Sequence, residues 1–119
     1  MKTFLSPTAA LLSIALAPSA FAHAVLQSSL PKSGEILHGS PTTVVLNFNE
    51  ALEAPFSKIT LIHLPNDTIK TAKATVDSKH SKILQLTTPI LSVGSYQVQW
   101  SAMTQDGHRA KGQYGFQVK

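Results

Sequence analysis

Three stretches of this chain alternate with a period of two, the pattern of an extended strand with one buried face. In TVVLNFNE (43–50), Val44, Leu46, Phe48 and Glu50 share a face, with Val45, Asn47 and Asn49 opposite. In SYQVQWSA (95–102), Tyr96, Val98, Trp100 and Ala102 alternate with Gln97, Gln99 and Ser101. In QYGFQVK (113–119), Tyr114, Phe116 and Val118 alternate with Gly115 and Gln117. HAVLQSSL (23–30), SKITLIHL (57–64) and SKILQLTT (81–88) read as further strands, and TIKTAKATV (68–76) carries a weaker version of the pattern. Pro and Gly punctuate the runs at 31–34, 39–41, 65–67 and 89–94. No helical periodicity competes; Leu52 to Phe56 has room for one turn, limited by Pro55. The expectation is an all-β domain, a seven-stranded antiparallel Greek-key sandwich or barrel of immunoglobulin-like type, with Trp100, Tyr96 and Tyr114 filling its core.

The strands are preceded by MKTFLSPTAALLSIALAPSAFA (1–22). Lys2 supplies a positive start, residues 9–17 form an apolar run too short to span a bilayer, and Ala20-Phe21-Ala22 has the small-x-small form of a signal-peptidase site. We read 1–22 as a secretory signal rather than a permanent anchor, and expect a periplasmic domain of residues 23–119 that begins on His23. The leader carries one of the ten basic residues and none of the six acidic ones, so the mature side-chain balance is +3. Those cations are spread from Lys32 to Lys119 without a basic stripe or interleaved stacking aromatics, which argues against a nucleic-acid partner. The chain contains no cysteine. Zinc fingers, iron–sulfur clusters, cysteine nucleophiles and thiolate copper sites are thereby excluded.

A histidine at a new N-terminus offers two nitrogens from one residue, its α-amine and its imidazole Nδ1, which close a chelate ring on a metal ion. TQDGHRAKG (104–112) offers partners: Asp106 and His108 flank Gly107, and either an extended backbone or a tight glycine turn brings their side chains to one side. An ordinary Asp-Gly turn beside a surface histidine is the plain alternative. Glu50 continues the apolar row of Val44, Leu46 and Phe48, where a carboxylate calls for a cation or for strand-end access to water. Several nitrogens plus a carboxylate, without sulfur, suit Cu(II), and zinc tolerates the same donors. His38, His63 and His80 read as surface or packing residues.

The leader ending A-x-A before His23, SSLPKSGE (28–35), LNFNEAL (46–52), VGSYQVQWSAMTQDGH (93–108) and GQYGFQV (112–118) together resemble the CopC-type periplasmic copper-resistance proteins, in order and across the whole mature chain. The resemblance implies one Cu(II) per chain, bound by the amine and imidazole of His23 and by His108, with Asp106 as a weaker axial ligand and Glu50 as ligand or as support beside the site. It implies a monomeric, non-enzymatic carrier or buffer in copper homeostasis, partnered by a CopD-like inner-membrane copper transporter. One departure matters: the mid-chain stretch where some family members carry a methionine-rich Cu(I) site, LIHLPNDTIKTAKATV (61–76), has no methionine. Beyond the initiator only Met103 is present, and one thioether is no Cu(I) site. Two other readings stand beside this one. A copper monooxygenase also uses an N-terminal histidine brace, and ascorbate-driven peroxide production would reveal it. A metal-free adhesion module would hold no copper at all.

Overall fold

The structure is a computed structural model that describes Thr3 and residues 23–119. The expected leader and its cleavage after Ala22 lie outside the described residues. Among the described residues, nine strands form two sheets: β1 (Leu26–Leu30), β2 (Ile36–Leu37), β3 (Thr43–Phe48), β4 (Lys58–His63), β5 (Asp67–Thr68), β6 (Thr75–Val76), β7 (Ile83–Thr87), β8 (Gly94–Met103) and β9 (Arg109–Val118). The first sheet runs β1-β3-β7-β6 and the second β2-β9-β8-β4-β5. A single 3-10 turn, Ala54–Phe56, occupies the segment where the sequence leaves room for one.

The alternating residues face where their parity sends them. Val44, Leu46 and Phe48 of β3, Tyr96, Val98 and Ala102 of β8, and Tyr114, Phe116 and Val118 of β9 are all buried in one core between the sheets. Each large side chain fully buried there contributes about 1.5–3 kcal/mol. Trp100 is half-buried, its ring edge-on to Phe48 at 5.0 Å. His63 is a packing residue, stacked on Tyr96 at 4.5 Å, while His38 and His80 are exposed.

The strand count and pairing differ from expectation in three places. The weak run 68–76 is not one strand: Asp67–Thr68 pairs with β4 in one sheet and Thr75–Val76 with β7 in the other, so the residues between them cross from sheet to sheet. Ile36–Leu37 adds an edge strand that runs parallel to β9, so the sandwich is not wholly antiparallel. β9 begins at Arg109 rather than at residue 113, giving a ten-residue hairpin arm paired with β8 from Gly94↔Val118 to Met103↔Arg109. That hairpin projects the 104–108 turn at one end of the sandwich, where the end of β3 and the start of the described chain also lie.

Candidate metal site

The N-terminal segment is held by the end of β3. Ala24 is buried in the core, and the Val25 amide donates to Asn49 Oδ1 at 2.7 Å while the Asn49 amide donates back to the Val25 carbonyl at 3.2 Å. This clamp, with Ala24 as its plug, leaves His23 exposed at the surface with its backbone direction fixed.

The second half of the site is the turn after β8. The Gly107 amide donates to the Thr104 carbonyl at 2.9 Å, and the Thr104 amide donates to the His108 carbonyl at 2.8 Å. Gly107 adopts φ of +89°, a conformation that glycine takes without strain. Of the two routes open to Asp106 and His108, the structure therefore takes the tight glycine turn. The Gln105 amide donates to the Ala51 carbonyl at 3.2 Å and the Glu53 amide to the Met103 carbonyl at 2.8 Å. Residues 49–53 thus brace both the N-terminal segment and the turn, and they carry Glu50, half-buried just past the end of β3.

His23 and His108 approach with ring centroids 5.7 Å apart and planes at 51°. Asp106 Oδ1 lies 3.1 Å from His108 Nδ1. Thr104, almost fully buried, donates its hydroxyl to the same Asp106 oxygen and accepts the His108 amide at 3.1 Å. That hydroxyl first, and the His108 side chain and amide after it, hold the Asp106 carboxyl below the usual carboxylate range against an opposing contribution from desolvation. Asp106 is therefore anionic at any neutral pH and faces one nitrogen of the His108 ring. A carboxylate at that distance from a ring nitrogen is of the kind that orients a metal-binding imidazole.

The spacing of the two histidine rings is compatible with a shared metal ion. A metal–nitrogen bond of about 2 Å puts an imidazole centre about 3 Å from the metal, so two rings sharing an ion have centroids no more than about 6 Å apart. The observed separation falls within that limit. Two imidazoles and a carboxylate make a nitrogen-rich, sulfur-free set suited to Cu(II), to which cleavage before His23 would add an amine. Of the four residues singled out from sequence, the structure pairs His23 with His108 and Asp106 with His108, and sets Glu50 in the bracing segment. Among the described residues no three His, Asp or Glu side chains close together into a ready metal-holding group. Asn49 and Thr104 escape the sequence reading. A side-chain amide at a strand end and a hydroxyl two residues before an aspartate were the available signals.

Comparisons with known proteins converge. The CopC domain family matches residues 26–119. Protein YobA of Escherichia coli strain K12 is 36% identical over 105 residues, covering 86% of this chain and 83% of that protein. The crystal structure of CopC from Methylosinus trichosporium OB3b superposes with a TM-score of 0.77 at 29% identity, covering 82% of this chain and 94% of that one. PcoC, a methionine-rich copper resistance protein from Escherichia coli, superposes with a TM-score of 0.74 at 28% identity, covering 82% of this chain and all 100% of its own.

Proposed function

The chain belongs to the CopC family, and from that premise we propose that it is a periplasmic Cu(II)-binding protein of copper homeostasis and resistance, acting as a carrier or buffer rather than as an enzyme. One Cu(II) is held per chain by the amine and imidazole of His23 and by His108 Nε2. Asp106 orients the His108 ring and lends an axial oxygen, and Glu50 supports the site from the bracing segment. Copper is the cargo. A CopD-like inner-membrane transporter is the partner that takes or supplies it.

The observation that carries this reading is the approach of His23 to His108 at 5.7 Å, with Asp106 seated on the same ring. Two distant parts of the chain bring imidazoles together at the surface, where an ion can enter and leave. Exchange is favoured because, after cleavage, one donor residue would stand at the end of the chain while the others sit on a braced turn. The test is an electron paramagnetic resonance spectrum of protein beginning at His23 with one equivalent of Cu(II). A single tetragonal signal with nitrogen hyperfine structure supports the site. A spectrum of free or heterogeneous copper, or a second equivalent bound equally well, overturns it.

A further inference from the structure

On the outer face of the five-stranded sheet, lined by none of the proposed copper ligands, lies a groove of about 430 Å³. Two cross-strand rows build it. Lys58, Ser101 and Lys111 stand in register across β4, β8 and β9, and Thr60, Gln99 and Gln113 form the next row. Ser101 is buried although its parity points it away from the core, because the Arg109 guanidinium lies over it. Arg109 Nη1 donates to Ser101 Oγ at 2.6 Å and to the Phe56 carbonyl at 3.1 Å. Two neutral oxygens thus pin this cation beside two lysines.

The charge on this face has no counterpart. No Asp or Glu lines the groove. Among the described residues, none of Lys58, Arg109 and Lys111 makes a salt bridge. The chain's six carboxylates all lie in turns, loops or the two-residue edge strand β5. Lys58, Arg109 and Lys111 put three exposed like charges on one face of the sheet, where an incoming anion is favoured. Trp100 and Gly112 also line the groove, and two side-chain amides and the Thr60 hydroxyl are ready to hydrogen-bond a backbone or a carboxylate.

We propose that this groove docks an acidic, extended segment of a partner protein. Its shape favours a polypeptide over a lipid surface: the lysines flank a hollow, which a strand enters and a flat bilayer does not. Alternate residues of an extended segment lie roughly 7 Å apart, while β4 and β9 are two strand spacings, roughly 10 Å, apart. Two carboxylates of such a segment therefore reach both lysines. Arg109 follows His108 directly, and Lys111 is three residues beyond it, so a docked segment sits beside the metal turn. On the copper reading given above, this places a copper-exchanging partner next to the His108 side of the site. Exposed pairs of this kind are individually weak and screened by salt, which suits a transient encounter.

The test uses metal-free protein beginning at His23, so its failure and the failure of the copper reading are distinguishable. The probe is a short, end-capped peptide of alternating Glu and Ser, followed through backbone amide shifts at about 20 mM salt, where the screening length exceeds 10 Å. The same peptide with Gln for Glu, inorganic phosphate, and phosphatidylglycerol vesicles are the other arms. Saturable shifts at Thr60, Gln99, Ser101, Lys111 and Gln113 with the acidic peptide alone are expected. The double change Lys58→Gln with Lys111→Gln should weaken that binding about 10-fold or more, and so should Gln99→Glu, which sets a carboxylate on the floor. Shifts scattered over the surface, equal affinity in both variants, or an equal response to phosphate or vesicles would overturn the proposal.

Discussion

Replacing Thr104 by Val keeps the shape of a buried side chain and deletes one hydroxyl. That hydroxyl does two things: it donates to Asp106 and accepts the His108 amide at 3.1 Å. Asp106 is exposed enough for water to take over the lost bond to its carboxylate, so the stability loss rests on the His108 amide. One neutral hydrogen bond is worth about 0.5–1.5 kcal/mol, and about 1 kcal/mol lowers Tm by roughly 4–8 °C in a domain of this size. The larger effect falls on the metal. Without the hydroxyl, Asp106 and the His108 backbone lose their common anchor, and disturbing a partner behind a metal ligand typically weakens binding 10–100-fold. The Asp106 carboxyl should also return toward its ordinary range, because the Thr104 hydroxyl is the main cause of its depression. Thermal unfolding and Cu(II) competition against a calibrated chelator at fixed pH measure both effects, with Thr104→Ser as the variant that restores the hydroxyl. A Thr104→Val protein with the expected drop in Tm and unchanged copper affinity would refute the reasoning, since the hydroxyl would then serve the turn and not the site.

The depressed Asp106 pKa has a sign that can be checked: a carboxyl held below its unfolded value stabilises the fold above that unfolded value and loses the contribution as pH falls through the folded one. Asp106→Asn should therefore remove part of the acid limb of the stability–pH curve below about pH 4 and leave the neutral region flat, as read by unfolding across pH. The metal-free chain should fold, because its core packs without the site; a dispersed amide spectrum is expected, and a random-coil spectrum that folds only with copper would contradict this. Gly112→Ala should be overpacked, since its new methyl meets the Trp100 ring, with a loss of about 1–3 kcal/mol in chemical unfolding. On reduction the protein should surrender its copper to a Cu(I) chelator, because Met103 is the single thioether among the described residues.

The alternation in residues 43–50 and 95–102 was enough to place β3, β8 and their buried faces, because period two leaves no other element that hides one face. The first half of β9 was hidden by its own packing. Its inward positions there are Ala110 and Gly112, and Gly112 has no side chain because Trp100 lies against it. A strand whose buried residues must be small shows no apolar alternation. β2 and β5 are two residues long and carry no period at all. At the site, His108 and Asp106 could be read from their spacing around Gly107. The clamp by Asn49 could not, because it acts on Val25, 24 residues away, and exists only once β1 and β3 have paired. Thr104 was missed for a related reason: a threonine at the end of a strand looks like sheet surface until the turn folds its hydroxyl under the aspartate.

If the His23 amine is a copper ligand, as proposed, position counts as much as residue type. Adding one Gly ahead of His23 keeps every side chain and moves the amine away from the imidazole, breaking the chelate. Protein beginning at His23 and its Gly-extended form should be compared side by side in Cu(II) competition against one chelator at one pH. The extension should weaken Cu(II) binding by at least about 10–100-fold, the loss typical of disturbing even an outer partner of a metal site. Equal affinities would contradict it, and the amine would then have no part in holding copper.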